Sequence, residues 1–172
     1  MADAGPVLVI GIGNPLRHDD GVGLEAVRRM RPLMRAAGPR WRGVAIETCE
    51  HEGEPLGLLE SWEGAGAVVL VDAIHGESQA GTVRRFDASS TPVPADLAGS
   101  TSTHAVGVAE AIELARALGR LPRRIVVYGV AGARFDAGGG LSDEVLAALG
   151  PLTEAVLRDA RMLASPPQGS AR

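Results

Sequence analysis

Four apolar runs rich in β-branched residues, Val7 to Ile12, Val44 to Thr48, Ala67 to Val71 and Arg124 to Val130, alternate with stretches whose apolar positions recur every three or four residues. Such alternation predicts a mostly parallel, twisted sheet with helices on both faces, a three-layer α/β fold. Between the first two runs, Leu24, Val27, Met30 and Leu33 mark a crossover helix over Gly23 to Ala37, closed by Pro32 and Gly38-Pro39. A shorter helix is expected over Pro55 to Trp62, with Leu56, Leu58 and Leu59 as its buried stripe. The segment Gly81 to Phe86 alternates at period two after a turn, which predicts a hairpin strand, antiparallel to its neighbour and at a sheet edge. Two further helices are expected, from Thr103 to Leu118, stopped by Gly119 and Pro122, and from about Ser142 to Leu163. The connection from Ala88 to Ser102, rich in Ala, Ser, Thr and Pro, is long enough to be functional or mobile.

The 172 residues fit one core, which places a single α/β domain at 1–164 and a frayed tail at 165–172. Hydrophobic residues at 45% exclude a disordered chain. Aromatic residues at 3% leave no platform for stacking bases, and a net charge of −4 argues against nucleic acid as a partner. The 17 basic residues, all Arg, form no block. No run of 18 apolar residues is present, so no membrane span is expected. The N-terminal stretch lacks the charge and cleavage pattern of a signal peptide, and Cys49 is the lone cysteine, so the expected compartment is the cytoplasm.

The segment from Gly11 to Gly23, GIGNPLRHDDGVG, links the first strand to the first helix. A dinucleotide site would need a third glycine where Leu16 stands, and Asp19 and Asp20 would repel a phosphate, so no nucleotide is expected. Gly11 and Gly13 let this loop turn sharply and come close to a ligand. Asp72 ends the third strand run, and in an open α/β sheet the ligand crevice lies beyond the carboxyl ends of the strands. His104 opens a helix that must descend from that same edge, because it leads into a parallel strand. Taken singly, each has a plainer role: Asp19 or Asp20 as a helix cap, Asp72 as a turn residue, His104 as a polar residue of a first turn. Together, Asp20, Asp72 and His104 form a donor set that zinc or nickel accepts, with coordination positions left open.

These pieces in order, Gly11-Ile-Gly-Asn14 with Asp19-Asp-Gly-Val-Gly23, Val71-Asp-Ala-Ile74 and Ser102-Thr-His104, resemble the hydrogenase maturation endopeptidases over about Val7 to Leu163. The resemblance implies an endopeptidase that removes a C-terminal extension from the large-subunit precursor of a nickel-iron hydrogenase. It further implies that Asp20, Asp72 and His104 contact nickel already carried by that precursor, so that the ion arrives with the substrate. Two alternatives stay open: a non-catalytic nickel-sensing chaperone of the immature subunit, and a peptidase with its own resident metal, comparable to the germination proteases. The segment Glu47 to Gly53 is more acidic than the family's Gly-rich turn and is expected to shape substrate choice. His18, His51 and His75 are further candidates for ligand or base, Asp19 is a candidate base, and Cys49 reads as a small strand-end residue.

Overall fold

The computed structural model describes residues 5–37, 45–76, 78–94 and 103–164, with the side chains of 103–106 excepted. Within them, five strands form one sheet: β1 (Val7–Ile12), β2 (Ile46–His51), β3 (Ala67–Ile74), β4 (Val83–Asp87) and β5 (Arg124–Ala131). Four helices cover it: α1 (Val22–Ala36), α2 (Pro55–Ser61), α3 (Thr103–Ala117) and α4 (Asp143–Ala164). The strand order is β2-β1-β3-β5-β4. All pairings are parallel except β4 with β5.

Period-two alternation in the central strands divides the core. Val7 and Val9 of β1, Val69 and Val71 of β3 and Val126 and Val130 of β5 pack under α1 and α4. Leu8, Ile10, Val68, Leu70, Ile125 and Val127 point the other way, under α2 and α3. Strands buried on both faces carry few polar residues, which is why β1, β3 and β5 stand out in the sequence.

Four expectations need correction. β4 does form an antiparallel edge strand, but no hairpin joins it to β3, because β5 lies between them. α1 ends at Ala36, close to the expected Ala37, but Pro32 does not help to close it, because Met30 and Met34 pack on the core and offset the roughly 3 kcal/mol cost of an internal proline. Leu56 is exposed, and Trp62 completes the buried stripe of α2 instead. Glu47 to His51 are not a turn but β2 itself, where Glu50 accepts from Arg28 and Arg31 of α1 at 2.7 and 2.8 Å.

α4 is fixed to the sheet by a polar lock. The Tyr128 hydroxyl and Arg85 Nε both donate to Asp159 Oδ2, at 2.8 and 2.6 Å. Burial and the neighbouring Asp159 push the Tyr128 hydroxyl up to about 12. The start of the long connection after β4 is pinned, since Arg116 donates to the carbonyls of Ala88, Ser89 and Thr91. Its remainder, 95–102, and the tail at 165–172 lie outside the described residues. Among the described residues no helix is long and apolar enough to cross a membrane.

Candidate active site

From β1 the chain crosses to β2 on one side, and later strands are added on the other, so β1 and β3 flank the switch point where a crevice opens at the carboxyl edge. After β1 the backbone turns back on itself. Gly13 adopts φ +147°, and a Cβ there would collide with the Asp20 carbonyl oxygen. Gly23, at the start of α1, is pressed equally close to the backbones of Ile12 and Val71. Between these glycines lies the 3₁₀ turn His18–Gly21, held directly above the ends of β1 and β3.

This turn carries two buried carboxylates with different work. Asp19 accepts hydrogen bonds from the amides of Ala133, Arg134 and Ser142 at 2.8, 3.0 and 2.7 Å, and from the Ser142 hydroxyl at 2.8 Å. Burial pushes its pKa up, but these four donors outweigh it and hold the carboxyl below its ordinary range. Asp19 thus clasps the loop between β5 and α4, with three of the four bonds on Oδ2 and one on Oδ1. Asp20 accepts from the amide of Asn14 at 3.2 Å. The N-cap of α1 is Gly21, not either aspartate.

Asp72 lies on β3 with the parity of Val68 and Leu70, the face that α2 and α3 cover. It accepts from the Ala73 amide at 2.8 Å. Its pKa is raised well above the usual carboxylate value, first by burial and then by the negative charge of Asp20. The fold therefore sets Asp20 close enough to Asp72 for its charge to favour the protonated form of Asp72. His104 is the second residue of α3, and its side chain lies outside the described residues. The helix does come to this edge: a Cβ at Gly107 would collide with the Gly53 carbonyl, two residues beyond the end of β2. Among the described residues no group of three or more His, Cys, Asp or Glu side chains is arranged to hold a metal ion.

The sequence pattern of a family described as hydrogenase maturation protease, HycI, matches residues 53–159. The hydrogenase expression/formation protein HupM of Azotobacter chroococcum mcd 1 is 30% identical over 172 residues, 96% of this chain and 78% of that protein. The chain belongs to the hydrogenase maturation protease family. HupD of Thiocapsa roseopersicina, of the same description, is 28% identical over 154 residues, 88% of this chain but only 66% of that protein, just under two thirds of its length. Among solved structures, the hydrogenase maturating endopeptidase HybD from Escherichia coli superposes with a TM-score of 0.76, covering 91% of this chain and 93% of that one at 24% identity, which supports the fold.

The other histidines of this maturation protease family member divide sharply. His18, at φ +47°, turns away from the crevice: its Nδ1 meets the Gly140 carbonyl at 3.1 Å, and its Nε2 accepts from Arg134 at 3.0 Å. His51 Nδ1 accepts from the Gly53 amide at 2.8 Å, which shapes the approach to α2. Both are occupied as loop fasteners. His75 is different, since its Nε2 is shielded from solvent and has no hydrogen-bond partner. Cys49 packs partly buried against the α2 and α3 side of the core, and burial pushes its thiol up, away from nucleophilic use. Sequence reasoning missed the loop 132–142 altogether. Its glycines, among them Gly138 at φ +149° against His18, were the one available signal.

Proposed function

We propose that this chain is the endopeptidase that removes the C-terminal extension of a nickel-loaded large-subunit precursor of a nickel-iron hydrogenase. The observation that carries the reading is the buried pair Asp20 and Asp72 at the sheet's switch point, where burial and the charge of Asp20 raise the pKa of Asp72. Such a pair is stabilised by a divalent cation brought close to it, and in this family the cation is part of the substrate. Asp20, Asp72 and His104 then contact the precursor's nickel at positions left open by its own ligands. An ion so placed polarises a nearby carbonyl or lowers the pKa of a water. The chain's own contribution is to hold the two carboxylates rigidly, through the Asn14 amide and the Ala73 amide, and to aim the cut at a precursor whose nickel is in place. Contact with the ion supplies the discrimination against nickel-free precursor, because without it the carboxylate pair stays uncompensated.

The test is to incubate the purified protein with nickel-loaded and nickel-free precursor and weigh the products. Loss of a C-terminal peptide from the nickel-loaded form alone is the expected result. Asp20→Ala, Asp72→Ala and His104→Ala should each abolish the cut while the protein stays folded. Binding of the precursor without cleavage would leave a chaperone, and retained cleavage in any two of the variants would remove the site.

A further inference from the structure

The loop that carries Asp20 also displays the most exposed large apolar side chain among the described residues, Leu16, which is 71% exposed. One residue joins the two. The Asn14 amide donates to Asp20 Oδ2 at 3.2 Å, and Asn14 Oδ1 accepts from the Leu16 amide at 2.9 Å. The Leu16 carbonyl accepts from the Gly138 amide at 2.9 Å, so both of its backbone polar groups are engaged. Pro15, itself exposed, has its φ fixed by its ring and rests on the turn, since a Cβ at Gly21 would meet the Pro15 Cα at 3.4 Å.

Water opposes this arrangement. An exposed leucine on a free loop can settle onto nearby apolar surface, whereas here the backbone is tied on both sides and the side chain stays in solvent. The fold gains nothing from it in packing, because Leu16 joins none of the apolar clusters among the described residues. An apolar side chain presented so rigidly carries little ordering cost when a partner covers it, which is what preorganisation contributes to binding. Other strongly exposed apolar residues, Leu118 just past α3 and Met162 in the last turn of α4, sit at the opposite edge of the sheet, because both helices descend from the carboxyl edge.

We infer that Leu16 is a substrate-gripping residue, which packs on an apolar side chain of the precursor beside the segment that is cut. The inference rests on the peptidase function above and names a contact for that same site. The occupant is the precursor because Leu16 and Asp20 share Asn14: a macromolecule that brings an ion to Asp20 comes within reach of a side chain fixed two hydrogen bonds away. Leu16 bears no reacting atom, so its contact is made equally in the bound precursor and in the transition state. Binding that is uniform in this sense lowers KM and leaves kcat unchanged. The rigid loop thus does two things from one anchor, holding the carboxylate for the ion and the leucine for the chain that carries it.

Leu16→Ser should raise KM for nickel-loaded precursor roughly 5- to 20-fold, the loss expected when a leucine covered on binding is removed, while kcat and melting temperature stay near wild type. Leu16→Met, which restores an apolar side chain of similar reach, should recover most of that loss. Met162→Ser, at a residue 61% exposed on the far edge, should cleave like wild type and so controls for a general loss of apolar surface. A KM for Leu16→Ser within about twofold of wild type overturns the inference. A fall in kcat at unchanged KM also overturns it, since the side chain would then only steady Asp20, and so does a marked drop in melting temperature, since it would then serve the fold. If the wild type binds the precursor without cutting it, the peptidase reading falls, and calorimetry decides the contact separately: a Kd weakened in Leu16→Ser by the same factor sustains it, and an equal Kd overturns it. A wild type that neither binds nor cuts overturns both.

Discussion

Asp19 and Asp72 are both withdrawn from solvent, yet burial ends in opposite results because one is surrounded by donors and the other by a second carboxylate. Asp19 has its pKa lowered in the fold, so its stabilisation is present above the ordinary value of 3.8 and is lost as pH falls through the lower folded value. Asp72 has its pKa raised, so its contribution is present below 3.8 and is lost as pH rises through the raised value. Two variants should therefore diverge in thermal melts across a pH series. Asp19→Ala strands four donors and should lose on the order of 3 kcal/mol at neutral pH, with the gap narrowing in acid. Asp72→Asn should melt higher than wild type at neutral pH, by roughly 2–4 °C for each kcal/mol gained, and should not cleave. A lower melting temperature for Asp72→Asn would show that the carboxylate pair is not strained. This contrast was not legible in the sequence. Asp20 and Asp72 could be paired by the strand-end rule, but adjacent aspartates at 19 and 20 look alike until Ala133, Arg134 and Ser142 arrive from more than a hundred positions away.

At the level of elements, the 3₁₀ turn is held between two segments that no local pattern connects. The His18 amide donates to the Gly138 carbonyl at 2.9 Å, the Asp19 amide to Arg134 at 3.0 Å, and the Gly138 amide to Leu16 at 2.9 Å. Gly13 is required here for a reason narrower than the one its sequence suggested: its close neighbour is the Asp20 backbone, so a side chain would displace the carboxylate itself. Gly13→Val should consequently lose cleavage with Asp20, Asp72 and His104 all present, and the loss should be larger in kcat than in precursor binding. Normal cleavage by this variant would mean that the turn tolerates movement. The strands and helices were legible because β1, β3 and β5 are buried on both faces and announce themselves as apolar runs. β4 was legible as a strand but not in its pairing, since alternation records which residues face the core and is silent about which neighbour supplies the ladder.

For the whole molecule, the proposed ion-contacting set Asp20, Asp72 and His104 contains no thiolate, and a set of that kind binds divalent ions weakly compared with a closed cysteine cage. The purified protein should accordingly lose metal on mild dialysis and regain no activity toward nickel-free precursor when zinc is added. Elemental analysis showing one retained zinc for each chain, with cleavage of nickel-free precursor, would favour a resident-metal peptidase. The placement of β5 between β3 and β4 also bears on how the molecule comes into being. As the chain is synthesised from its N-terminus, β1, β2 and β3 can pair as soon as Ile74 has emerged, but the partner of β4 is not made until Ala131. Residues 83–87 must wait as an unpaired strand while all of α3 is produced, next to an open β3 edge that would accept them in the wrong place. In the finished fold β5 lies along β3, which both excludes the hairpin that local pattern suggests and completes the wall behind Asp72.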